Sequence, residues 1–235
     1  MKRNMKRALG LATAASMLTV SAVSAQQTQQ PITKDQVTRL VSSWPQASQQ
    51  AATMIMDKYG PPAGVTDNML VWGRTGPWKR TIVYREAVQH RFPMPHPDVM
   101  EQFIDYRVPT DKFDELAEYD GSVIAERTKG ELSARCDKEG ANFLAINLAH
   151  EIVTDKRSVD EARTYYGEQI MAMQAKRPAP YTERFIFTVA SGNTADPDEP
   201  IMAAGTMQPQ SQRDTTRSMP RDTTRADSTR TPTRP

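Results

Sequence analysis

The sequence predicts an α+β fold: a single domain in which a small, mainly antiparallel sheet packs against several helices, one of them deeply buried. Segments with helical periodicity lie before and after a set of short runs that are rich in β-branched and aromatic residues. Turn residues separate those runs. Helices grouped around a small sheet in this way are typical of the α+β class.

The first elements are two helices followed by a hairpin. The helices are predicted over 33–43 and 46–59, and the second should end at Gly60 because glycine favours a helix C-terminus and the two prolines that follow prevent continuation. Two runs rich in Val, Ile, Leu, Tyr and Trp, over 68–73 and 78–88, then predict antiparallel strands joined by a Gly-Pro turn.

The middle of the chain predicts shorter elements. Residues 91–97 form a loop interrupted by prolines, and the alternation of apolar and charged residues over 99–108 favours a half-buried strand. A short helix over 110–119 should follow. After a turn, a short strand is predicted over 122–127.

The remaining segments predict two helices and a last strand. Residues 133–154 carry apolar side chains on nearly every side of a helical projection, which indicates a helix buried in the core. Ser158 and Glu161 have the spacing of a capping box, so a helix should run over 158–174. Alternation over 181–189 predicts the final strand.

The first 25 residues predict a secretory signal peptide. Four basic residues within the first seven precede an apolar run, and residues 23–25 offer the small side chains that a signal peptidase reads. We therefore expect an exported protein of bacterial type, periplasmic or secreted, whose mature chain begins near Gln26.

The folded domain is predicted to cover residues 32–190. Residues 191–235 are rich in Arg, Thr, Asp and Pro, and only Met219 and Ala226 are apolar after residue 207. Such a segment cannot bury enough surface to offset the entropy of ordering it, so we expect a disordered tail.

Charge and hydropathy limit the classes of partner. Removing the four basic residues of the signal changes the formal net charge from +2 to −2, so the mature chain has no general attraction to nucleic acid or to anionic lipid. No apolar stretch after residue 25 approaches the roughly 20 residues of a transmembrane segment. We expect a partner in the envelope or the exterior, whose identity the sequence leaves open.

The densest set of potential metal ligands lies between residues 90 and 98. His90 and His96 are six residues apart on a proline-stiffened loop, and Asp98 adds a carboxylate. Two imidazoles and a carboxylate are ligands found in zinc sites, so these three residues are candidate metal ligands. The alternative is that both histidines are structural.

A second polar set includes Cys136, the only cysteine, and His150. Both fall on one face of the predicted buried helix, where a thiol beside an imidazole can act as a nucleophile. They are 14 residues apart, roughly 21 Å along a continuous helix, so they cannot pair with each other. Cys136 could instead meet His90 or His96 across the fold, or share a metal with them.

No common catalytic motif is present, which favours a non-catalytic role. We expect an exported domain that binds a ligand or an envelope component. The first alternative is a metal- or thiol-dependent enzyme that uses the three candidate ligands and Cys136. The second is a carbohydrate-binding module that stacks Trp72 and Trp78 on a sugar ring, and it requires both indoles to be exposed.

Overall fold

The computed structural model describes residues 32–202, and within them an α+β domain extends to Asp196. Its helices are α1 (Lys34–Val41), α2 (Gln46–Tyr59), α3 (Phe113–Tyr119), α4 (Glu139–Val153) and α5 (Val159–Gln174). Its strands are β1 (Gly64–Val65), β2 (Met69–Trp72), β3 (Arg80–His90), β4 (His96–Asp105), β5 (Val123–Glu126) and β6 (Glu131–Cys136). All strand pairs are antiparallel, in the order β1-β2-β3-β4-β6-β5. The predicted fold class is confirmed.

Two predicted regions lie wholly or partly outside this description. The signal peptide predicted at 1–25 precedes the described residues, and most of the tail predicted at 191–235 follows them. The compact unit nevertheless continues past the predicted boundary at residue 190. Thr194 donates a hydrogen bond from Oγ1 to the Gly130 carbonyl at 2.7 Å, and the Asp196 amide donates to the Arg127 carbonyl.

The first two helices and the hairpin form as predicted. Thr33 and Gln36 build a capping box that starts α1, and Gly60 ends α2 with a φ of 83° that favours glycine. Strands β2 and β3 pair over Met69–Trp72. Helices α1 and α2 cover these strands with a core cluster that includes Val37, Ile55, Leu70 and Val83.

Strand β4 confirms the predicted strand in the middle of the chain, but it begins earlier, at His96. Between Val83 and Val88 the pairing of β3 with β4 shifts through a bulge, and it then continues to the end of β3. The connection between the two strands is therefore only residues 91–95.

The prediction of one continuous helix over 133–154 is wrong in its first part. Residues 131–136 form β6, which lies between β4 and β5, and α4 begins only at Glu139. This central strand is rich in small and apolar residues, as a buried helix is. Composition alone therefore did not distinguish a buried strand from a buried helix. The alternation of Leu132, Ala134 and Cys136 with polar residues is the strand signal. Helix α4 itself is deeply buried, as predicted.

The strand predicted over 181–189 does not form. Residues 180–182 are a 3₁₀ turn, and the chain beyond them crosses α4 without joining the sheet. The Asn147 side chain supplies backbone hydrogen-bond partners to this segment, as a neighbouring strand would have done. Its Nδ2 donates to the carbonyls of Tyr181 and Arg184, and its Oδ1 accepts from the Ile186 amide. Phe185 and Phe187 then pack against the core around α4.

Among residues 32–202, no helix combines the length and the apolar character needed to cross a bilayer. The residues after Asp196 that the structure describes, 197–202, form no helix or strand.

Candidate metal centre

Two neighbouring strands bring the candidate ligands together. His90 is the last residue of β3 and His96 the first of β4, and the two are directly paired across the ladder. Their ring centroids lie 5.0 Å apart. Asp98 follows two residues later along β4, and one ligand atom from each of the three residues lies within 4.8 Å of the others.

The individual distances are close to those of a coordination shell. Nε2 of His96 lies 3.1 Å from Oδ1 of Asp98, and Nδ1 of His90 lies 3.6 Å from Oδ2 of the same carboxylate. Donor atoms bound to one tetrahedral ion at about 2.1 Å are about 3.4 Å apart. The two contacts run to different oxygens of Asp98, so one ion would require the ligand atoms to close from within 4.8 Å to about 3.4 Å of one another.

Each of the three side chains is oriented by a neighbour on its outer side. Nδ1 of His96 lies 2.8 Å from the Met94 carbonyl, and Nε2 of His90 lies 3.6 Å from Oδ1 of Asp120. Ser122 donates a hydrogen bond from Oγ to Oδ2 of Asp98. Outer partners of this kind hold metal ligands in place. Nδ1 of His90 also lies 3.4 Å from the Ser122 hydroxyl, a contact that a bound ion would replace.

The remaining oxygen of Asp98 is the least satisfied polar atom of the cluster. Asp98 is 3% exposed, and among residues 32–202 the only donor near its Oδ1 is Nε2 of His96, at 3.1 Å. Burying a carboxylate is costly, and a bound cation would compensate its charge.

The same contacts determine the protonation of His96. Hydrogen bonding to Asp98, and then to Cys136, raises the pKa of His96 to about 11, so its ring carries a proton that it shares with Asp98. A metal ion bound at Nε2 would take the place of that proton. Burial raises the pKa of Asp120, the outer neighbour of His90.

Cys136 lies beside this cluster. It ends β6 and is 5% exposed, although its sulfur is not one of the three mutually close ligand atoms. A cavity of about 70 Å³ is lined by Cys136 and His96 and, from α5, by Tyr166, Ile170 and Met173. Burial raises the pKa of the thiol, which favours its protonated, weakly nucleophilic form.

His150 takes part in a different set of contacts. Because Cys136 lies on a strand, the predicted shared helical face of these two residues does not exist. Nδ1 of His150 lies 2.8 Å from the Tyr106 hydroxyl, and its ring stacks on Phe187 with centroids 4.1 Å apart. Burial lowers the pKa of His150, which is consistent with a structural role.

The two tryptophans do not form a sugar-binding face. Trp72 and Trp78 are both 1% exposed. Their indole nitrogens donate hydrogen bonds to the Gly60 carbonyl and to Oε1 of Glu139, respectively. The carbohydrate-binding alternative required exposed indoles and is therefore wrong for this pair.

Asp120 and Ser122 are site residues that the sequence analysis placed only in a turn and at a strand start. Ser122 is 24 residues from Asp98 along the chain, and its hydroxyl reaches the carboxylate although β6 lies between β4 and β5. No spacing in the sequence connects these residues to His90 and His96.

Comparisons of the chain with protein-family models, with curated proteins and with solved structures find no match.

Proposed function

We propose that this is an exported metal-binding protein that holds one divalent transition-metal ion through Nδ1 of His90, Nε2 of His96 and Oδ1 of Asp98. The observation that carries the proposal is that one ligand atom each of His90, His96 and the buried Asp98 lies within 4.8 Å of the others. All three side chains are already oriented by outer neighbours, so little ordering would accompany binding.

The donor set supports a transition metal. Imidazole nitrogens are ligands of Zn²⁺, Cu²⁺, Ni²⁺ and Fe²⁺, whereas Ca²⁺ and Mg²⁺ prefer shells made of oxygen. Two of the three proposed donors are imidazoles, so we take Zn²⁺ as the first ion to test.

The surroundings support binding more than catalysis. Two hollows reach the proposed ligands, with volumes of about 70 Å³ beside His96 and about 210 Å³ beside Asp98. Pockets for organic ligands usually have volumes of roughly 300–1,000 Å³. Both hollows are smaller than that, which favours a bare ion or a small ligand over a large organic substrate.

The proposal is tested by elemental analysis and calorimetry of the mature chain from Gln26, without an affinity tag. We expect one Zn²⁺ per chain after dialysis, and loss of that ion in His96→Ala and Asp98→Asn. His150→Gln is the matched control, because it alters a histidine outside the cluster, and it should retain the ion. Absence of stoichiometric metal from the folded wild-type protein, or equal retention by all variants, would reject the proposal.

A further inference from the structure

We infer that the sulfur of Cys136 becomes the fourth ligand of this ion. The shell would then be closed by four protein donors, and the site would select a borderline ion such as Zn²⁺ or Co²⁺ over Ca²⁺ or Mg²⁺. The inference rests on the proposed function, because it concerns the same ion.

Strand pairing places the Cys136 thiol near the proposed ligands. Cys136 is paired in register with Met100, which lies two residues after Asp98 on β4. Cys136 and His96 line the same small cavity. Since Nδ1 of the His96 ring faces the Met94 carbonyl, Nε2 is turned toward Asp98. An ion bound between Nε2 and Asp98 would therefore lie close to the cavity that the thiol borders.

The surroundings of Cys136 permit the short movement that coordination needs. Its sulfur is outside the set of atoms within 4.8 Å of one another, whereas donors on one tetrahedral ion are about 3.5 Å apart. The thiol borders the cavity of about 70 Å³, so it has space to turn. The thiol donates only a weak hydrogen bond, to Oδ1 of Asp137 at 3.5 Å, which coordination would replace.

Coordination is a proton-for-metal exchange. The S–H bond breaks, the proton leaves to solvent, and a sulfur electron pair forms the bond to the ion, so no oxidant or reductant is needed. A site with four protein ligands has no open position for water or substrate, which is typical of sites that hold an ion rather than use it for hydrolysis. The closed shell thus extends the binding role proposed above.

The test uses Co²⁺ as a spectroscopic probe on the reduced mature protein, without a tag and without oxygen. We expect visible ligand-field bands of a tetrahedral ion, together with a near-ultraviolet sulfur-to-cobalt charge-transfer band, both saturating at one Co²⁺ per chain. Because Cys136 is the only cysteine, a thiolate band in the wild type can come only from this residue. The wild-type spectrum is therefore informative even if a variant fails to fold.

Two variants sharpen the assignment. Cys136→Ser should lose the charge-transfer band and weaken Zn²⁺ binding by more than about 100-fold, since even loss of an outer partner costs about 10–100-fold. Met173→Leu removes another sulfur from the same cavity and should change neither the charge-transfer band nor the Zn²⁺ affinity. Ligand-field bands without the charge-transfer band in the wild type would overturn the inference and leave the proposed function standing. Absence of any Co²⁺ or Zn²⁺ binding would reject both.

Discussion

His90 and His96 face each other directly across the ladder between β3 and β4, with ring centroids 5.0 Å apart. The pairing follows from the short connection, residues 91–95, that joins the two strands. Since the backbone already holds both imidazoles, an ion would meet a largely formed site, and the entropy cost of binding should be small.

Replacing Ser122 should weaken metal binding without removing a ligand. Its Oγ holds Oδ2 of Asp98, so Ser122→Ala should release the carboxylate and lower Zn²⁺ affinity by about 10-fold, as measured by competition with a chelator. Ser133→Ala is the control, because it removes a similar buried bond, to Glu101, at a distance from the site. Equal affinities of the two variants would show that Ser122 does not position Asp98.

Glu139 should make stability depend on pH in the acid range. Burial alone would raise the pKa of this carboxyl group, but hydrogen bonds from Lys58, Tyr59 and Trp78 outweigh burial and hold the pKa below its usual value. The ionised carboxylate therefore stabilises the fold fully above the unfolded pKa of about 4.5, and this contribution is lost as the pH falls through the folded pKa.

We accordingly expect Glu139→Gln to lower the free energy of unfolding by about 2 kcal/mol at neutral pH. The difference from the wild type should shrink as the pH falls below about 4.5, because the protonated wild-type residue then resembles glutamine. Urea denaturation at a series of pH values measures both effects. Glu183→Gln is the control at an exposed carboxylate, and it should change neither the unfolding free energy nor its pH dependence. If the effect of Glu139→Gln stayed constant with pH, the charge of Glu139 would not be the cause of its stabilisation.

Removing Asn147 should release the segment that crosses α4. Asn147→Ala deletes the hydrogen bonds to the backbone of Tyr181, Arg184 and Ile186, and should cost about 2 kcal/mol in unfolding free energy. Trypsin should then cleave after Arg184 several-fold faster, with the fragment identified by mass spectrometry. Asn142→Ala removes another buried amide, bonded to Gln102. If both variants are cleaved after Arg184 at the same rate, Asn147 does not hold this segment.

Gly130 should be intolerant of a side chain. Its φ of +62° disfavours other residues, and an added Cβ would lie 2.1 Å from the Thr194 carbonyl oxygen. Gly130→Ala should therefore lower the unfolding free energy by more than about 2 kcal/mol, measured by thermal and urea denaturation. At Gly121 an added Cβ meets nothing within 4 Å, so Gly121→Ala should be nearly neutral. Similar stability of the two variants would contradict the close packing of the segment around Thr194.

Local signals were sufficient for elements whose stabilising contacts are close in sequence. The capping box of Ser158 and Glu161 starts α5 as predicted, and the hairpin of β2 and β3 forms around its Gly-Pro turn. The grouping of His90, His96 and Asp98 was also visible in the sequence, because all three belong to one pair of adjacent strands.

Contacts between distant segments decided the rest. Residues 131–136 are a strand because β4 and β5 offer pairing partners on both sides, whereas residues 181–189 are not, because Asn147 takes up their backbone groups. The positions of Asp120, Ser122 and Cys136 around the candidate ligands depend on the same strand order. The sequence by itself determined the fold class and the three candidate ligands. Only the tertiary structure decided which polar groups surround those ligands, since strand pairing over long separations leaves no local pattern in the chain.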